Sequence, residues 1–134
     1  MKKDILIIAN YGPTPGTKSN DRIVTLLDLL IAEGYNVELV STSFQHSKKE
    51  QKKIDDKVLE DLPYKYTMVY EPGYPKNVSL KRFQSHHIAA KNLTKYLNDR
   101  KKPDLIFAVT TSTAFGYAAA ILTHTLAGVI SLSM

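Results

Sequence analysis

The chain has 134 residues, a length that fits one domain, and its 43% hydrophobic and 23% charged residues are the balance of an ordinary globular protein. It has no cysteine, which excludes disulfides and thiolate metal sites. The formal net charge is +5, and this basic surplus allows contact with phosphates, anionic lipid or nucleic acid. The alternative is a solvated surface that is rich in lysine.

Short apolar runs recur along the chain and predict five β-strands. Helical segments lie between them, and strands that alternate with helices indicate right-handed crossovers and a parallel sheet. We therefore predict an α/β fold, a Rossmann-like three-layer sandwich with strand order 3-2-1-4-5. The predicted strands are Ile5–Ala9, Val37–Ser41, Thr67–Tyr70, Leu105–Val109 and Val129–Leu132.

The first predicted helix runs from about Asn20 to Glu33, with Ser19 or Asn20 as its cap and Gly34 as its stop. Its apolar residues follow the spacing of a buried stripe. The next segment, Ser47–Leu62, is highly charged and is predicted to be a solvated helix or a loop insertion. The stripe residues are Ile23, Leu26, Leu27 and Leu30.

Two further helices are predicted in the second half of the chain. One covers Ser79–Asp99, and the other, at about Thr113–Leu126, is almost wholly apolar. We expect the last segment to be a core helix rather than a membrane anchor, because polar residues and Gly128 interrupt the apolar run. The apolar side of the earlier helix is predicted to comprise Leu80, Phe83, Ala90, Leu93 and Leu97.

The loop after the first strand is the main candidate site. With the predicted strand order, the loops 11–19 and 110–113 face each other across one crevice. Glycines let a ligand approach the backbone, and hydroxyl and cationic groups suit a phosphate, a carboxylate or sugar hydroxyls. The alternative for the first loop is a proline-rich connector whose glycines only make turns, and the alternative for the second is helix capping by Ser112. The predicted ligand-binding residues are Gly12, Gly16, Thr17, Lys18, Ser19, Arg22, Thr110, Thr111 and Ser112.

The same loop is close to a nucleotide-binding P-loop motif. It departs from that motif because Thr17 stands where a glycine should precede the lysine, and because Pro15 removes a backbone N–H. We also expect no acidic residue at the end of a later strand to hold Mg²⁺, since Asp104 precedes its strand. A P-loop-like nucleotide-binding protein remains an alternative, as does a flavodoxin-like interaction module.

The histidines do not predict a metal site. His86 and His87 are adjacent, so on a helix they point about 100° apart and cannot chelate one metal together. His46 and His124 have no evident partners in the sequence. We therefore expect no metal. We also expect no cofactor, because the dinucleotide fingerprint G-x-G-x-x-G is absent.

A group of basic and aromatic residues suits a membrane interface or a nucleic-acid surface. The alternative is an edge strand with half-buried tyrosines, and we expect no nucleic-acid partner. The group comprises Lys76, Lys81, Arg82, Tyr64, Tyr66, Tyr70 and Tyr74.

Three parts of the chain resemble the N-terminal halves of retaining GT-B glycosyltransferases of the family-4 type. They are the run Ile5–Pro13 with Gly16, the segment Leu26–Ser41, and Lys102–Ala108 followed by Thr110–Thr113. The resemblance implies the acceptor-side domain of such an enzyme, with a sugar or lipid-linked acceptor. It also implies a role in cell-surface polysaccharide synthesis and a cytoplasmic location, peripheral at the inner membrane face.

The chain also departs from that family's pattern. Gly16-Thr17-Lys18 replaces the adjacent glycines of the first loop, and no histidine follows the fourth strand. The sequence stops at Met134, before the half that binds the nucleotide sugar. We therefore expect a truncated domain that is inactive alone, with its catalytic residues unknown. An unfinished sheet edge leaves pairing with a second copy open.

Overall fold

The computed structural model describes residues 2–9, 12–16, 22–76, 78–110 and 129–133. The predicted helix Thr113–Leu126 and the predicted cap residues Ser19 and Asn20 lie outside these ranges. Within them, no helix has both the length and the apolar character needed to cross a membrane.

Strands and helices alternate along the described parts of the chain. Each of the five predicted strands is present, with ends that differ from the prediction by no more than two residues. In chain order the elements are β1 (Asp4–Ala9), α1 (Arg22–Ala32), β2 (Asn36–Thr42), β3 (Phe44–Gln45), β4 (Glu50–Gln51), α2 (Asp56–Glu60), β5 (Lys65–Val69), α3 (Leu80–Asp99), β6 (Leu105–Thr110) and β7 (Val129–Ser133).

The main sheet has five strands in the order β5-β2-β1-β6-β7, and every neighbouring pair is parallel. In the central strand, Ile7 lies opposite Leu39 on one side and Phe107 on the other. The predicted order, 3-2-1-4-5, differs from the observed order because the prediction numbered only five strands along the chain. The difference arises because β3 and β4 form a separate antiparallel pair that the sequence did not predict. The parallel sheet is compatible with a Rossmann-like α/β fold.

The two faces of the sheet carry different helices. Successive side chains of β1 alternate between the faces. Leu6 and Ile8 belong to one apolar cluster with α3, while Ile7 and Ala9 belong to another with α1. The central strand is thus buried on both sides, which explains why its sequence is a continuous apolar run.

Helix α1 ends where the sequence predicts. Gly34 has a φ of +88°, the left-handed conformation that glycine adopts at low cost. Its N–H donates to the Ile31 carbonyl at 3.0 Å, and the Tyr35 N–H donates to the Leu30 carbonyl at 3.2 Å. These two bonds satisfy carbonyls that the end of the helix would otherwise leave open.

Helix α3 begins one residue after its predicted start, Ser79, but it buries a different set of residues. The Ser79 hydroxyl accepts from the Arg82 N–H, and Leu93 and Leu97 pack on the sheet as expected. Leu80 and Phe83 do not, since they are 87% and 73% exposed. A helix of 20 residues spans about 30 Å, more than the five- to seven-residue strands beneath it. Its first turn therefore extends beyond the sheet.

The charged segment 47–62 is neither a single helix nor a featureless loop. The turn after β3 leads back into β4, and the five-residue helix α2 follows, capped by the Asp55 carboxylate, which accepts from the Lys57 N–H at 3.0 Å. The β3–β4 hairpin lies directly after β2. It therefore lies at the carboxyl edge of the sheet, where parallel α/β folds usually bind their ligands.

Two carboxylates fasten the opposite half of the sheet. Asp104 accepts from the Asp4 N–H at 2.8 Å and so ties the start of β6 to the start of β1. The buried Glu38 of β2 accepts from the Thr67 hydroxyl at 2.7 Å and pairs with Arg100 at 2.8 Å. These acidic residues are structural, because each is already bonded within the fold and away from the carboxyl edge.

Candidate functional site

A cleft of about 180 Å³ opens at the carboxyl edge of the sheet. One wall is the turn that follows β1, and the other is the β3–β4 hairpin that follows β2. Its lining combines an aromatic ring with hydroxyl, amide, imidazole and ammonium groups. The lining residues are Gly12, Thr14, Phe44, Gln45, His46, Ser47 and Lys52.

The turn after β1 is shaped by Gly12. Its N–H donates to the Ala9 carbonyl at 3.4 Å. A Cβ at position 12 would lie 3.0 Å from the Ala9 Cβ and 3.4 Å from its carbonyl oxygen. Glycine thus lets the chain double back tightly beside the cleft.

The predicted ligand residues are only partly within the described chain. Gly12 lines the cleft, while Gly16, with a φ of +88°, lies against Val58 of α2. Arg22 is exposed at the start of α1. Thr110 ends β6, which pairs with β1 through Ala9 and Val109, so the segments after these strands start at the same edge. Thr17, Lys18, Ser19, Thr111 and Ser112 lie outside the described residues.

Lys52 brings a positive charge to the cleft. Its Nζ donates to the Ser41 hydroxyl at 3.0 Å and to the Tyr66 hydroxyl at 3.2 Å. Ser41 is fully buried at the end of β2. Burial lowers the pKa of Lys52 to about 8, although the Glu71 carboxylate acts in the opposite direction. The pKa of Tyr66 is raised to about 12, mainly by burial.

Aromatic rings connect the cleft to the interior. The buried Tyr74 ring contacts Phe44 at 5.0 Å, His46 at 5.7 Å and His86 at 5.6 Å between centroids. The Tyr74 hydroxyl is hydrogen-bonded to His46 Nδ1. His46 therefore has a partner that the sequence did not reveal, and its orientation in the cleft wall is fixed.

A carboxylate stands behind this ring cluster. Glu71 is fully buried, and its Oε2 accepts from the Ser85 hydroxyl at 2.8 Å and lies 3.7 Å from His86 Nε2. Glu71 comes two residues after the end of β5. Its carboxylate contacts Ser85 and His86 of α3, however, so we assign it a structural role in the protein interior.

Both histidines of the cluster favour the neutral form. Burial is the largest cause that lowers the pKa of His46, and the neighbouring Lys49 ammonium adds to it. Lys49 Nζ also donates to the His46 carbonyl at 2.8 Å. Burial likewise lowers the pKa of His86, against the attraction of Glu71. At neutral pH the positive charge of this region therefore resides on lysine and arginine.

The basic and aromatic residues do not form one surface. Tyr64 and Tyr66 pack on the α1 side of the sheet, and Tyr74 is buried beneath the Arg82 guanidinium at 5.7 Å. What remains exposed at and just before the start of α3 is a short run of apolar and basic side chains. We call it the α3 patch: Lys76, Val78, Leu80, Lys81 and Phe83.

Sequence reasoning missed most of the cleft. Lys52 and His46 came from a segment that looked like a solvated insertion, and Phe44 belongs to a two-residue strand with no detectable pattern. A usable signal was the position of residues 43–47, which directly follow a predicted buried strand.

Among the described residues, no group of three or more His, Cys, Asp or Glu side chains is arranged to hold a metal ion.

Comparison with known proteins bears on the fold alone. No protein-family model matches the chain, and no curated protein sequence matches it. Two crystal structures of the C-terminal domain of a Pyrococcus furiosus hydrogenase are similar to it. One aligns with a TM-score of 0.61 and 15% identity over 100% of this chain and 94% of that domain. The other has a TM-score of 0.54 and 14% identity, over 98% and 92%.

Proposed function

We propose that this chain is the acceptor-binding half of a glycosyltransferase and that the cleft between the Gly12 turn and the β3–β4 hairpin holds the sugar or lipid-linked acceptor. The observation that carries the proposal is the cleft itself. It lies at the carboxyl edge of a parallel sheet and offers one aromatic side chain beside hydroxyl and amide groups. Sugars use both kinds of contact, because their C–H faces are apolar and their edges are hydroxyls.

The size of the cleft supports an acceptor rather than a nucleotide sugar. Sites for drug-sized ligands measure roughly 300–1,000 Å³, whereas this cleft has about 180 Å³. A single sugar unit or its anionic substituent suits that volume. The proposal assigns the nucleotide sugar to a second domain, and it takes the chain to be a Rossmann-like three-layer sandwich that works in cell-surface polysaccharide synthesis.

Binding of neutral methyl glycosides is the direct test. We expect the backbone amide NMR signals of Thr14, Gln45 and Ser47 to shift on titration, with the rest of the described chain little changed. The variant Gln45→Ala removes one hydrogen-bonding group of the cleft and should weaken binding about fivefold. Gln84→Ala, on the exposed side of α3, is the matched control and should bind as the parent does.

Two results would contradict the proposal. One is the absence of cleft shifts with every glycoside tested, and the other is sugar transfer by the chain alone from nucleotide sugars to lipid-linked acceptors. A titration with ATP and Mg²⁺ belongs to the same series. Shifts centred on Gly16 and Arg22 would favour the P-loop-like alternative instead.

We extend the proposal to the membrane surface through the α3 patch. Val78, Leu80 and Phe83 are 93%, 87% and 73% exposed, and Lys76 and Lys81 flank them. Apolar side chains with adjacent lysines suit the interface of an anionic bilayer, where each cation near the surface contributes about 1 kcal/mol. A glycosyltransferase with a lipid-linked acceptor would gain access to it in this way.

Vesicle sedimentation tests this extension. We expect more protein to sediment with vesicles that contain anionic lipid than with zwitterionic ones, and Phe83→Ser should reduce that fraction severalfold. Leu29→Ser is the control, because Leu29 is 61% exposed on α1, far from the patch in sequence. Sedimentation that does not depend on lipid charge would count against membrane contact.

A further inference from the structure

Lys52 is a largely buried cation whose hydrogen-bond partners are neutral. Its Nζ donates to two hydroxyls, those of Ser41 and Tyr66. Within the described residues it forms no ion pair, unlike Lys65 and Arg100, which lie beside Glu38. An ammonium ion has three N–H donors, so the two hydroxyls leave one donor for a ligand.

The nearest acidic group does not neutralise this charge. Glu71 influences Lys52 electrostatically, but its carboxylate accepts a hydrogen bond from the Ser85 hydroxyl and lies 3.7 Å from His86 Nε2. Two further cations, Lys49 and Arg82, lie over the Tyr74 ring beside the cleft at 5.2 Å and 5.7 Å from its centroid. The region thus carries an excess of positive charge next to an open cavity.

We propose that the cleft binds an oxyanion, a phosphate or a carboxylate, through the Lys52 ammonium. Removing a cation from water is unfavourable, and a bound anion offsets that cost with a charge-assisted hydrogen bond. The hydroxyl of Ser47 and the amide of Gln45 stand in the same lining and can donate to the anion's other oxygens. Neither Lys52 nor this subsite is among the ligand residues that the sequence predicts.

The inference names the charge of the ligand and does not depend on a sugar. Where the proposed function also holds, the anion is a phosphate or carboxylate substituent of the acceptor. The low-dielectric surroundings that favour neutral Lys52 also couple binding to pH. Because the ammonium form binds the anion, binding raises the pKa of Lys52 from about 8 and takes up a proton at mildly alkaline pH.

Sulfate is the appropriate probe, because its charge is constant from pH 6 to 10. We expect sulfate to shift the amide signals of Gln45, His46 and Ser47, with an affinity at least tenfold lower at pH 10 than at pH 7. Calorimetry at pH 8.5 in buffers of different ionisation enthalpy should show proton uptake on binding. Acetate in a parallel titration separates a preference for carboxylates from one for phosphate-like anions.

The decisive variant is Lys52→Met, which keeps an apolar stem and removes the charge. Sulfate affinity should fall at least tenfold, whereas Lys53→Met, at the exposed neighbouring lysine, should bind as the parent does. Equal affinity in the two variants, or no cleft shifts in the parent chain, would overturn the inference. If Lys52→Met fails to fold, the pH dependence of the parent decides: an affinity that is the same at pH 7 and pH 10 refutes the role of Lys52.

The sulfate and glycoside titrations separate this inference from the proposed function. Sulfate binding without glycoside binding would leave the anion site standing and remove the acceptor-binding proposal. Glycoside binding without sulfate binding would support the acceptor-binding proposal and remove the anion site.

Discussion

The Ser85 hydroxyl donates a 2.8 Å hydrogen bond to the Glu71 carboxylate, and both residues are almost fully buried. The same hydroxyl oxygen accepts from the Gly73 N–H at 2.9 Å. Within the described residues, Glu71 Oε1 is buried and has no hydrogen-bond donor. Ser85 therefore satisfies a charged group and a backbone group at once, and it joins helix α3 to the segment after β5.

We expect Ser85→Ala to lower the free energy of unfolding by about 2 kcal/mol. A hydrogen bond to a charged group contributes roughly 1.5–3 kcal/mol, and its loss leaves a buried carboxylate and a buried N–H unsatisfied. Urea unfolding at pH 7 measures the change. Gln84→Ala, one residue earlier on the exposed side of α3, should stay within about 0.5 kcal/mol of the parent. Equal effects of the two substitutions would show that the Ser85–Glu71 hydrogen bond makes no net contribution to the free energy of unfolding.

The sheet was predictable because burial on both faces imposes a local signature. Each strand of a parallel sheet reads as a short apolar run, and Ile5–Ala9 and Leu105–Val109 have that form. Gly34 was predictable for a similarly local reason, since a left-handed residue ends α1. These features depend on residues close together in the chain.

The cleft was not predictable because it depends on contacts between distant segments. Lys52 is one of four lysines in residues 48–53, and the sequence does not distinguish it from the other three. Only the β3–β4 hairpin places its ammonium against Ser41 and Tyr66. The exposure of Phe83 has a similar cause: its spacing matches the buried stripe, but the sheet ends before the helix does.

Gly73 is required both by its backbone conformation and by its neighbour. Its φ is +90°, and a Cβ at this position would overlap the ring of Phe44, a residue of the cleft wall. We expect Gly73→Ala to reduce stability by roughly 3 kcal/mol, of which about 1 kcal/mol comes from the positive φ. Thermal unfolding followed by circular dichroism provides the measurement.

Gly34→Ala is the control that isolates the two causes. Gly34 has a φ of +88°, but a Cβ there would meet no atom within 4 Å. This substitution should therefore lower the free energy of unfolding only by the part that comes from the positive φ, about 1 kcal/mol. A loss at Gly34 as large as that at Gly73 would mean that the Phe44 ring moves aside freely, and that the cleft wall is softer than its packing suggests.

Lys52 makes stability depend on pH in a direction that can be checked. The unfolded chain keeps the lysine proton up to the ordinary pKa of 10.5, while the folded chain releases it near 8. The unfolded state therefore binds more protons between these values, so the Lys52 contribution to stability rises with pH from about 8 to 10.5. Below pH 8 the buried charge costs roughly 3 kcal/mol.

Lys52→Met should remove that cost but leave two hydroxyls without their donor, at about 1 kcal/mol. We expect a net gain of roughly 1–2 kcal/mol at pH 7 that disappears by pH 10.5. Urea unfolding across this range, with Lys53→Met measured alongside to cancel the titration of other groups, gives the comparison. Parallel pH profiles for the two variants would show that Lys52 is as well solvated in the folded chain as in the unfolded one.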